Sequence, residues 1–284
     1  MKRSPRATRP PRRPSLTFPR SRRARVLAWS FAAVACLSGC AGRQIAVPSD
    51  PGTPLADLDA VYGPVSQACR EVRTFTAELR LKGRAGSQPL KGTIHAGFKR
   101  PGSMRLEVVS GFGPPIFVLT ASGDGATLLY PSEQRVVRDA TPEEILGALT
   151  GVSLAPADLL AILTGCVVPE PRPTAGRLHG NGWASIEMSG GVVIYLQPDQ
   201  RAWRVRAARR GAWRVEYPEW PSGSAFPSRV RLSSAMPIAV DLSAIVSQVE
   251  TNVDLEDSAF TVRVRDETPM TLDELKANGP LRNP

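Results

Sequence analysis

The strongest constraint on this chain is a period of two. In the segment TFTAELRLK, apolar Phe75, Ala77, Leu79 and Leu81 alternate with Thr76, Glu78, Arg80 and Lys82. Successive side chains of an extended strand point to opposite faces, so this pattern makes a strand with one dry face and one wet face. It recurs at Ile94, Ala96 and Phe98, at Met104, Leu106 and Val108, and at Trp203, Val205 and Ala207. It returns at Trp213, Val215 and Tyr217, and Phe260, Val262 and Val264 read as the last strand of the series. About a dozen such segments fill roughly 190 residues, and short connections between strands make the neighbours antiparallel. Pro101-Gly102 and Ser122-Gly123-Asp124-Gly125 are such connections. A sheet of that length has to curl, split or close, and its dry face has to be covered.

Little in the chain is available as cover. Leu55, Leu58, Val61, Tyr62, Val65 and Cys69 recur at helical spacing, with Pro64 expected to kink or split that helix. Thr141 is a good N-cap, followed by Pro142, Glu143 and Glu144 at positions that suit a first turn. A second short helix begins near Pro156 and stops near Gly165. The expected fold is therefore α+β, a large curved antiparallel sheet forming an open half-barrel, with about three short helices as a lid. With so few helices, the concave face either keeps an apolar cavity or is filled by a packed core. The dry side chains expected around such a cavity are Phe75, Leu79, Leu81, Ile94, Phe98, Leu106, Val108, Leu146, Leu149, Leu160 and Leu163.

Charge is a weaker guide than the net +10 of the 284-residue chain implies. Ten of the 36 Lys and Arg residues lie between Lys2 and Arg25, and the first acidic residue is Asp50. The remainder is formally neutral, with 26 basic against 26 acidic residues, and lacks the positive field that nucleic-acid binding needs. The basic start, the apolar run from Val26 to Leu37 and the small residues after it have the order of a secretory signal. That run is shorter than the roughly 20 residues a spanning helix requires. Leu37-Ser38-Gly39-Cys40 resembles the lipobox of bacterial lipoproteins. The resemblance implies a signal peptide over residues 1–39, cleavage before Cys40, and acyl chains on that cysteine that attach it to membrane lipid. Ala41 in place of Asp implies outer-membrane residence facing the periplasm. Residues 40–54, rich in Pro and Gly, read as a lipidated flexible tether, and residues 55–284 as the folded domain with a tail from about 266.

Catalytic signatures are missing from the sequence. His95 and His179 are the only histidines, and neither has neighbours at metal-ligand spacing. No nucleophile elbow, zincin helix or P-loop occurs, so no cofactor, no metal and no enzymatic activity are expected. Cys69 and Cys166 would lie in an oxidising compartment, either as a disulfide or as two buried thiols. Arg204, Arg206, Arg209 and Arg210 form a basic cluster, either a solvated sheet face or a contact for anionic headgroups. Phe112 stands between Gly111 and Gly113, before Pro114-Pro115-Ile116. That loop either folds its aromatic ring onto the core or carries it outward as a hydrophobic probe.

The runs MRLEVVSGFGPPIFVLTASGDGATLLYP and TPEEILGALTGVSLAPADLLAILTG resemble the LolB-like and carrier-like family of lipoprotein-sorting proteins. The resemblance implies a half-barrel lidded by helices, an apolar cavity for acyl chains, and transfer of lipoproteins or lipids to the outer membrane from a periplasmic lipoprotein carrier. It also implies that Phe112 and Ile116 stand where that family carries an exposed apolar probe. Read from the residues alone, a structural or interaction lipoprotein of an envelope assembly or polysaccharide export system is the alternative.

Overall fold

The structure is a computed structural model that describes residues 44–110, 113–199, 202–236 and 238–278. Cys40 and Phe112 lie outside the described residues, as does the proposed signal peptide.

Fifteen strands form one open sheet. In chain order they are β1 (Thr53–Pro54), β2 (Thr74–Ala85), β3 (Gln88–Lys99), β4 (Ser103–Val109), β5 (Phe117–Ser122), β6 (Gly125–Tyr130), β7 (Arg135–Ala140) and β8 (Pro173–Leu178). The second half holds β9 (Ala184–Met188), β10 (Val192–Asp199), β11 (Ala202–Arg210), β12 (Trp213–Glu219), β13 (Arg229–Ser234), β14 (Val240–Thr251) and β15 (Thr268–Pro269). Across the sheet the order is β1-β8-β9-β10-β11-β12-β13-β14-β2-β3-β4-β5-β6-β7-β15. Every pairing is antiparallel except β15 with β7. The central seam joins β14 to β2, with Leu242 opposite Gly83 and Val246 opposite Leu79.

Four α-helices stand among the described residues: α1 (Leu58–Glu71), α2 (Pro142–Thr150), α3 (Pro156–Leu163) and α4 (Leu272–Asn278). Pro64 does not split α1, which runs through it and buries Val61, Tyr62 and Cys69 on one side. In α2, Thr141 accepts from the Glu144 amide while Glu144 accepts from the Thr141 amide, a reciprocal cap, and Gly151 ends the helix in the left-handed conformation. One core cluster takes side chains from β2–β7, β9–β14 and the helices, so the sheet curls around its lid.

Three expectations are corrected. The alternation at Phe260, Val262 and Val264 is not a strand. Asp257–Phe260 is a 3-10 helix, and the following residues cross the outer face of the sheet, where every nearby strand edge is already paired. Lys99 and Arg105 fasten this crossing by donating to the carbonyls of Leu255, Ala259 and Thr261. The tail from about 266 is part of the fold, since β15 covers the β7 edge, α4 packs on α2, and Met270 and Leu275 are buried. The described part of the tether is likewise pinned. Ile45 and Val47 pack on an outer-face cluster of Trp183, Tyr195 and Ala207, and β1 pairs with β8. The Ile45 amide donates to Glu216 (2.9 Å), a buried carboxylate paired with Arg214, and Arg214 donates to the Ile45 carbonyl.

Candidate functional site

Among the described residues, an apolar cavity of about 120 Å³ lies beneath the lid. β2, β3 and β4 contribute Leu79, Leu81, Ile94 and Leu106 to its wall. β13 and β14 contribute Val230, Leu232, Leu242 and Ala244. The roof is Leu146 and Thr150 of α2, Val152 and Leu154 of the linker, and Leu159, Ile162 and Leu163 of α3. Thr150 is the only polar side chain in this lining, and its hydroxyl donates to the Leu146 carbonyl (2.7 Å). The cavity therefore offers carbon alone, and an apolar ligand loses no hydrogen bond by entering it.

Of the side chains expected around a cavity, Leu79, Leu81, Ile94, Leu106, Leu146 and Leu163 line it. Phe75, Phe98, Val108, Leu149 and Leu160 are buried but do not. Phe75 packs against Phe98 and, edge to face, against Phe226, so the aromatic rings fill that stretch of the concave face. Leu149 faces a neighbouring groove. The contributions of β13 and β14 were missed, although Val230 and Leu232, like Leu242 and Ala244, also alternate. What hid them is that β14 joins β2 across more than half the chain.

The lid is held differently at its two ends. At one end, Cys166 just beyond α3 is joined by a disulfide to Cys69 in α1, with Cα atoms 5.7 Å apart and Ala161 packed beside them. Tyr217 reaches up from β12, fully buried, and donates to the Ile162 carbonyl (3.0 Å). Burial pushes its phenol well above the usual range. Gly165 is left-handed, and a Cβ there would come within 2.8 Å of the Trp220 ring. At the other end the α2–α3 linker meets the β2–β3 turn, where the Gly151 backbone stands against Ala85. A groove of about 670 Å³ opens there between α2, α4 and the β2–β3 turn. It shares Thr150 with the cavity.

The other sequence candidates have structural surroundings. Ile116 is not an exposed probe, because it is half-buried against the core and its amide donates to the Val108 carbonyl (2.7 Å). Arg204 stacks over Trp220 and Arg209 over Tyr195, while Arg210 pairs with Asp158 of α3. Arg206 donates to the Pro218 carbonyl, so each arginine has its own partner. His95 is exposed on the outer face, opposite Glu78 and Glu107. His179 is buried, its ring nitrogens 3.1 Å from Asp50 Oδ1 and 2.9 Å from Ser185 Oγ. The hydrogen bond to His179 holds the Asp50 carboxyl below its usual range. Ser185 lies inside β9, whose backbone is paired on both sides, so this trio clamps the N-terminal segment to the sheet.

No family model matches the chain, and no curated protein matches it. Solved structures share its outline at low identity. A DUF1329-family protein from Desulfovibrio piger is 12% identical, with a TM-score of 0.47 over 70% of this chain and 95% of its own. A LolA-superfamily protein from Nitrosomonas europaea is 11% identical, with a TM-score of 0.46 over 71% of this chain and 98% of its own. A putative outer-membrane lipoprotein-sorting protein domain from Vibrio parahaemolyticus is 10% identical, with a TM-score of 0.42 over 69% and 94%.

Proposed function

We propose that this chain is a non-catalytic lipid-handling lipoprotein of the LolB-like kind. It is anchored to the outer membrane through Cys40, holds an acyl chain on its concave face and takes part in lipid or lipoprotein transfer. The observation that carries the reading is the all-carbon cavity beneath a lid fixed at one end. Its volume of about 120 Å³ is near that of engineered apolar cavities that stay dry and bind benzene. It takes one segment of an acyl chain. A whole chain continues past Thr150 into the groove as the linker lifts. Burial of CH₂ groups, at about 0.8 kcal/mol each, supplies the affinity.

Ala244→Phe tests this, because the ring fills the cavity from the β14 side while the fold keeps its core. Fluorescent fatty-acid binding, and lipid retained through purification as seen by mass spectrometry, should fall at least about tenfold, the loss of about two buried CH₂ groups. If the parent chain neither retains lipid nor binds the fatty acid, the reading fails. The small cavity then favours an interaction lipoprotein of an envelope assembly or export system.

A further inference from the structure

We propose that the end of the sheet carrying the β2–β3 and β13–β14 turns docks on an anionic phospholipid bilayer. Three large apolar side chains are exposed among the described residues, Leu178, Met236 and Ile238. Two of the three share the β13–β14 turn, with Met236 66% and Ile238 49% exposed. The described residues on either side of Pro237 are braced: Gly86 of the β2–β3 turn donates to the Ala239 carbonyl (2.7 Å), and Ser234 Oγ donates to the Met236 carbonyl (2.6 Å). Braced residues that keep two apolar side chains in water present them to a partner.

The charge beside this turn selects the partner. Lys82 on β2 and Lys91 on β3 are directly opposite and both exposed. Like charges across a strand pair repel, and neither lysine has an acidic partner among the described residues. Arg84 follows on the same face, opposite Asp241, whose carboxylate is already taken by Arg231 (2.8 Å), and Arg84 itself donates to the Ser87 carbonyl (3.1 Å) with its charge left without an acidic partner among the described residues. A surface of lipid phosphates satisfies these cations while the headgroup boundary receives Met236 and Ile238. A protein partner would have to supply a matching acidic and apolar patch; a bilayer supplies both everywhere. Ile238 also lines the groove that shares Thr150 with the cavity, so the docked end is the end at which lipid enters. Only this last step rests on the lipid-handling reading, since docking needs no occupant in the cavity.

The test is hydrogen exchange on the full chain carrying Cys40→Ser. Vesicles of phosphatidylcholine with a minority of phosphatidylglycerol are compared with phosphatidylcholine vesicles and with inorganic phosphate. The basic first residues hold every variant near anionic vesicles alike, so the readout is local. The amides of Met236, Ile238 and Ala239 are expected to slow by about tenfold on anionic vesicles alone, in proportion to the apolar surface transferred. Met236→Glu with Ile238→Glu should abolish that slowing, and Lys82→Glu with Lys91→Glu should reduce it and its salt dependence. No local slowing overturns the proposal, as does equal slowing with inorganic phosphate. Slowing that instead tracks protein concentration without vesicles overturns it in favour of a second copy of the chain. Fatty-acid binding measured on the same samples separates the two readings: binding without turn protection sinks docking alone, and protection without binding sinks the acyl-chain reading alone.

Discussion

The two ends of the lid are made of similar leucine-rich helix, yet they are held by different forces. Toward the disulfide, α3 is fixed by a covalent bond, by a buried tyrosine hydroxyl and by a glycine fitted under Trp220. Toward the β2–β3 turn, the α2–α3 linker has Leu154 half-buried over the cavity, and the first turn of α3 carries the Arg210–Asp158 pair, its arginine exposed. Such surface pairs contribute little. The difference teaches how each end is fixed: covalently at the bridge, and by packing alone at the linker, which is the end that borders the groove.

The largest test of this contrast removes the bridge. Cys69→Ser with Cys166→Ser closes no loop across a sequence separation of 97 and should lower unfolding stability by about 2–5 kcal/mol in denaturant titration. A loss under about 1 kcal/mol would show that packing alone holds that end. Tyr217→Phe removes the side-chain donor from the Ile162 carbonyl, which keeps the Gly165 amide (3.2 Å), and should lower stability by about 1–1.5 kcal/mol. At the loose end, Leu154→Ala should lower it by only about 1 kcal/mol, since the side chain is partly in water and stands over existing empty space. A larger loss there than at Tyr217 would break the comparison.

The smallest effect is set by pH. The Thr141 amide holds the Glu144 carboxyl below its usual 4.5, and the Thr271 amide does the same for Glu274. A depressed carboxylate stabilises the folded state fully above its ordinary value and stops doing so as pH falls through the folded value. Melting temperature should therefore drop as pH falls below about 4.5, more steeply in the parent than in the Glu144→Gln, Glu274→Gln variant. Parallel curves would remove these caps from the acid response.

Much of the fold was legible because its signals are local. Period two in TFTAELRLK marked β2, and Thr141-Pro142 with Glu144 marked the start of α2, since both patterns are set by neighbouring residues. The misreadings share a cause. Val262 and Val264 alternate like a strand, but no free edge awaited them. The segment from Ile45 to Pro54 has linker composition, but Glu216 and His179 lie within reach of it. The leucines of α4 read as a tail until β15 brought them against α2.

For the site, the sequence determined which side chains are dry: Leu79, Leu81, Ile94 and Leu106 face inward because a strand alternates whatever it pairs with. It left open whether Cys69 and Cys166 meet and which dry side chains border empty space. Tertiary structure decided both. The bridge depends on where α1 meets the turn after α3, and the cavity on the pairing of β14 with β2 from the far end of the chain. Periodicity is a property of adjacent residues, whereas a void is what remains when distant elements fail to fill a volume together.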